Sequence, residues 1–127
     1  MTTTFEMLNE TKGKLPSLPF EQIKIAVLGE HYDLSLVITS AQKTHTLNKK
    51  YRGKNKAANV LSFPLSPTSG EIFLSPEVAK KEASLFEKTY PKFLGVLFIH
   101  GLLHLKGLSH GSTMSRLEKK FEKKFNL

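Results

Sequence analysis

Val60-Leu61-Ser62-Phe63-Pro64-Leu65-Ser66-Pro67-Thr68-Ser69-Gly70-Glu71-Ile72-Phe73-Leu74-Ser75-Pro76-Glu77 decides the fold. Val60 to Phe63 reads as a strand that stops at Pro64, because proline has no N–H for a sheet ladder. Pro67-Thr68-Ser69-Gly70 has turn chemistry, and Glu71 to Leu74 returns as the partner strand of a hairpin. Ser75-Pro76-Glu77 then supplies a cap, a first-turn proline and a first-turn acid, so a helix follows directly, with Val78, Ala79, Ala83 and Phe86 on one side. Pro91 marks its latest possible end.

Upstream, Leu34 to Thr39 alternates like a strand packed mainly on one face. It lies between a helix over residues 18–30, capped by Ser17, and a second helix that opens at Ser40 and runs into Tyr51. A first strand is expected around Thr4 to Leu8. Downstream, Phe93 to Leu105 is almost wholly apolar, which predicts a helix buried in the core. Met114, Leu117, Phe121 and Phe125 recur at helical spacing, with Lys119, Lys120, Lys123 and Lys124 elsewhere on the wheel. The order predicts an α+β fold, a mixed β-sheet packed by helices, in one domain over residues 1–127.

The chain has 127 residues, 39% of them apolar, which suits a single globular core. No apolar run reaches the roughly 18–20 residues of a membrane span, so no membrane partner is expected. Cysteine is absent, which excludes disulfides, thiolate metal sites and a cysteine nucleophile. The start, Met1-Thr2-Thr3-Thr4-Phe5-Glu6, has neither a basic nor an apolar leader region, and the expected location is the cytoplasm. A formal net charge of +8 favours a polyanion such as RNA as partner, although charge alone does not choose between RNA, DNA and an acidic membrane surface.

Three of the five histidines fall within His100-Gly101-Leu102-Leu103-His104-Leu105-Lys106-Gly107-Leu108-Ser109-His110. On a helix His100 and His104 share a face one turn apart. Gly107 is placed to end that helix, and His110 then supplies a third nitrogen. Three imidazoles without a thiolate suit one Zn²⁺ per chain, with a fourth position left for water. A bare pair at this spacing is more often two partly buried histidines bonded to carbonyls; the stop glycine and the third histidine shift the balance to a metal. His31 and His45 have no such partners and are read as surface residues. Zincin peptidases place a glutamate after the first histidine, and here that position is Gly101. The metallopeptidase reading loses its general base.

Lys43, Lys49, Lys50, Arg52, Lys54 and Lys56 form a run without an acidic residue. It can hold a phosphate backbone, and Arg52 can offer two parallel donors to one phosphate; a solvated helix end explains the lysines equally well.

Three segments together resemble the YbeY-type endoribonucleases of ribosomal RNA maturation. His100 to His110 is similar to that family's H-G-x-L-H-L-x-G-x-D-H signature. Leu47 to Lys54 with Asn59 to Pro64 is similar to its L-N-x-x-Y-R-G-K and T-[DN]-V-L-S-F-P segment, and Ser69-Gly70-Glu71-Ile72 stands where the family has L-G-D-I. The resemblance implies zinc on His100, His104 and His110, and puts Arg52 at the position of the family's functionally important arginine. It also implies single-stranded RNA as substrate, notably ribosomal RNA precursors near the small-subunit 3′ end, with the ribosome's small subunit as partner. Ser109 replaces the family's acid before the last histidine, Ala58 replaces a threonine, and Gly111-Ser112-Thr113 replaces an acidic stretch. Ser109 keeps open a second reading, a zinc-stabilised ribosome-binding module with little turnover. The general base is unassigned; Glu71 is a candidate whose plainer role is a solvent-facing residue at the start of a strand.

Overall fold

In the computed structural model, which describes residues 4–127, strands β1 (Phe5–Asn9), β2 (Asp33–Ile38), β3 (Val60–Ser66) and β4 (Ser69–Leu74) form one sheet in the order β1-β2-β4-β3. The first three in that order run parallel, and β3 pairs antiparallel with β4, so the sheet is mixed as expected. Helices α1 (Phe20–Leu28), α2 (Ala41–Arg52), α3 (Pro76–Glu82), α4 (Tyr90–Leu105) and α5 (Ser112–Lys124) complete the α+β fold.

The pleat divides the sheet's side chains between two faces. Leu34, Leu36, Ile38, Ile72 and Leu74 point to α1 and α4 and form the main core with Ile23, Phe98 and Leu102. Val37, Leu61 and Phe73 point the other way, toward Leu47 of α2. As its composition predicts, α4 is the central helix, with Leu94, Phe98, Ile99, Leu102 and Leu103 fully buried. Phe98 meets Phe20 of α1 edge-on at 5.2 Å between ring centroids. Among the described residues no helix is long and apolar enough to cross a membrane.

Four local expectations are corrected. Helix α1 begins at Phe20 after an N-cap at Pro19, not at residue 18 after Ser17, and it ends at Leu28. The residue before a proline is kept out of helical conformation, so Leu18 cannot open the helix. Strand β3 runs through Pro64 to Ser66, because β3 is an edge strand and the missing N–H faces away from the ladder. The hairpin turn is therefore shorter than expected: β4 starts at Ser69, and only Pro67 and Thr68 stand between the strands. Pro91 lies in the first turn of α4 and opens that helix instead of ending α3, which stops at Glu82 and tightens into a 3₁₀ turn over Ala83–Phe86. The tighter turn keeps Ala83 buried and swings Phe86 outward, to 58% exposure. The first strand, expected around Thr4 to Leu8, is Phe5–Asn9.

Candidate metal centre and nucleic-acid cleft

The end of α4 and the turn after it build the centre. A Cβ on Gly101 would lie 2.9 Å from Ser62 Oγ and 3.1 Å from Val60 Cγ2, so glycine is what lets α4 settle this close to the edge strand β3. Ser62 uses that approach to donate from Oγ to the Gly101 carbonyl at 2.9 Å. Six residues on, Gly107 adopts φ +100°, a conformation that side chains other than glycine's resist, and the chain reverses. Lys106 Nζ donates to the Val27 carbonyl at 3.0 Å and ties this turn to the end of α1.

The reversal sets the protonation of the histidines. His104 Nδ1 lies 3.0 Å from the Leu108 carbonyl, which can only accept, so Nδ1 carries the proton and the Nε2 lone pair is free. His100 Nδ1 lies 3.3 Å from Glu118 Oε2 of α5, and the same reasoning leaves its Nε2 free. The two Nε2 atoms face each other at 3.0 Å. Two opposed lone pairs at that distance repel unless a cation or proton lies between them. His110 closes the third side, its ring centroid 5.1 Å from those of both other imidazoles. One nitrogen from each of the three lies within 4.8 Å of the others, so the group can hold a metal ion. Tetrahedral Zn–N bonds of about 2.0–2.1 Å place two ligand nitrogens about 3.3 Å apart, so a widening of a few tenths of an ångström would fit the pair to the ion. Burial pushes the His104 pKa below its ordinary value; the charge of His100 acts in the same direction, the Leu108 carbonyl opposes it, and His110 and Arg52 add to the lowering. A neutral imidazole is the form that binds metal.

The histidines line a cleft of about 680 Å³ that Arg52, Lys54 and Lys56 also line. Arg52 is the last residue of α2, whose start is capped by Ser40 Oγ accepting from the Lys43 N–H at 3.2 Å. The basic loop beyond it is pinned from below. Buried Asn48 donates from Nδ2 to the Lys56 carbonyl at 2.9 Å, and buried Thr44 accepts from the Ala58 N–H at 3.2 Å. Among the described residues no carboxylate pairs with Arg52, so its guanidinium is available to an anion in the cleft.

The sequence model described as Endoribonuclease YbeY matches residues 9–126. The chain belongs to the YbeY endoribonuclease family. It is similar to Endoribonuclease YbeY of Nautilia profundicola, 38% identical over 75% of this chain and 73% of that one. Endoribonuclease YbeY of Thermotoga neapolitana is 32% identical over 93% of this chain and 82% of its own. A solution structure from Thermotoga maritima aligns with TM-score 0.63 at 26% identity, covering 92% of this chain and 85% of that one.

Within this YbeY-family chain the fold brings His100, His104, His110 and Arg52 to one cleft. Lys49 and Lys50 do not join them; they line a separate groove with His45, which is half-buried, its Nε2 2.7 Å from Asn55 Oδ1. His31 is exposed. Glu71 is misplaced for a general base. It pairs in register with Phe63 and Ser35, on the sheet face opposite the histidines, and the cleft's carboxylates are Glu118 and Glu82. Glu118 was missed because its only sequence signal is its position beside Leu117 on the apolar edge of α5.

Proposed function

We propose that the chain is a zinc-dependent, single-strand-specific endoribonuclease that processes ribosomal RNA in the cytoplasm, including the small-subunit 3′ end, and serves ribosome quality control with the small subunit as partner. The observation that carries this reading is the convergence of three imidazoles with Arg52, Lys54 and Lys56 in one cleft.

His100, His104 and His110 would hold the ion, which would supply Lewis acidity at the scissile phosphate and lower the pKa of water there. Glu118 and the Leu108 carbonyl keep the Nδ1 protons of His100 and His104 in place, so both Nε2 atoms stay available. Arg52 presents a planar fork to the phosphoryl oxygens, where negative charge grows as the bond breaks. Lys54 and Lys56 draw the strand in electrostatically. The carboxylate that Ser109 does not provide reaches His100 from Glu118. The residue after His100 is glycine, packed against Ser62, so the peptidase reading lacks the base that zincins carry at that position.

Arg52→Lys tests the assignment of chemistry. The charge survives and the fork does not, so single-turnover cleavage of a single-stranded RNA should slow by more than binding weakens, at matched salt and zinc. Equal losses in rate and affinity would reduce Arg52 to a positioning contact.

A further inference from the structure

Two of the residues that line the cleft are not used by this chemistry. Phe86, the last residue of the 3₁₀ turn, stacks on Phe93 of α4 with ring centroids 4.9 Å apart and planes inclined by 17°. Phe93 is 3% exposed and Phe86 58% exposed, so the pair is a ring anchored on one face and open on the other. A lone exposed phenylalanine is ordinary on a protein surface. This one lines the same cleft as the histidines and the basic loop, and its turn is held. The Lys88 N–H donates to the Ala83 carbonyl at 3.2 Å, and Lys88 Nζ pairs with Glu122 of α5 at 3.4 Å.

Charge distinguishes the residues that line the cleft. Arg52, Lys54 and Lys56 suit phosphate, whereas Glu82, four residues before Phe86 and with its Oε1 accepting from Asn59 Nδ2 at 2.8 Å, repels it. What fits beside a carboxylate and on an open aromatic face, in continuity with a phosphate track, is an uncharged planar group of the same strand. We infer that Phe86 is a stacking platform for one nucleobase of the bound RNA, so that the cleft holds the strand by its phosphates on one side and by a base on the other. Every base has a π-face, so the contact adds affinity and register with little sequence preference. The inference rests on the RNA-cleaving reading above.

The test uses zinc-loaded protein and a short fluorescent single-stranded RNA, with cleavage followed in single turnover over a range of protein concentrations. Phe86→Ala should raise the half-saturating concentration about five- to hundredfold, with the maximal rate within about twofold of wild type. Phe86→Trp should restore half-saturation, and Phe86→Leu, apolar but without a π-face, should not. In a scan of abasic positions, one position should weaken wild-type binding by a similar factor and add nothing in Phe86→Ala. Zinc content should match wild type, and the thermal midpoint should fall only slightly, because the truncation uncovers one face of Phe93 without touching the rest of the core. Unchanged half-saturation in Phe86→Ala, full rescue by leucine, or an abasic penalty that persists without the ring would overturn the platform and leave the endoribonuclease reading standing. Absence of RNA cleavage by the wild-type, zinc-loaded protein would overturn both.

Discussion

Glu118 stands outside the histidine trio and touches it through one contact, which makes it a sharp probe of how the centre is held. Its Oε2 lies 3.3 Å from His100 Nδ1, longer than the about 2.7–2.9 Å of a strong charge-assisted hydrogen bond. The two side chains retain 22% and 24% of their exposure, so solvent screens part of the interaction. Partners of this kind contribute about 10- to 100-fold to metal affinity, and the length and exposure here put Glu118 at the lower bound. Glu118→Ala should therefore weaken zinc binding about tenfold, or about 1.4 kcal/mol. Glu118→Gln, which can still accept the Nδ1 proton without the charge, should cost about two- to threefold. Competition for zinc against a chromophoric chelator at neutral pH gives both numbers, with His100→Ala as the reference for outright loss of a donor. If Glu118→Ala binds zinc as wild type does while His100→Ala fails to bind it, the ring needs no partner at Nδ1 and the role given to Glu118 is wrong.

Two further predictions concern stability. Gly101→Ala gains about 0.8–1.0 kcal/mol of helix propensity, yet its Cβ would lie 2.9 Å from Ser62 Oγ and 3.2 Å from Ile72 Cδ1, so overpacking of about 1–3 kcal/mol should win and lower the urea midpoint; a stabilised variant would contradict the close α4–β3 approach. With metal removed by chelation, the protein should lose stability as pH falls through the unfolded histidine pKa of about 6.5, because burial lowers the His104 pKa in the folded state. In that window the unfolded chain binds more protons than the folded one, so stability rises with pH; the loss levels off below the folded pKa. Urea midpoints of the metal-free protein that stay constant from about pH 7.5 to about pH 5.5 would refute it.

Where the chemistry of a few neighbouring residues decides an element, the sequence was readable. Ser75-Pro76-Glu77 opens a helix wherever it stands, and Ser75 Oγ does accept from the Val78 N–H. The i, i+4 histidines and Gly107 likewise needed only helix geometry. Features that depend on what lies far away in sequence were not readable. Pro64 breaks a central strand and is harmless on an edge, and nothing local says that β4 inserts between β2 and β3. Pro91 can close one helix or open the next, and the 3₁₀ turn before it decided the matter. Glu118 and Phe86 enter the cleft only because α5 and that turn pack against α4, after intervals too long for any periodicity to report.

Cleavage of RNA at a metal held by three histidines requires that activity follow the metal, and a zinc titration of cleavage measures this. Protein stripped by chelator is mixed with a single-stranded RNA, and the single-turnover rate is measured as Zn²⁺ is added back. The stripped protein should not cleave, recovery should saturate near one equivalent of zinc per chain, and His104→Ala should not recover at that dose. Cleavage that continues at the wild-type rate in protein proved free of metal would contradict it.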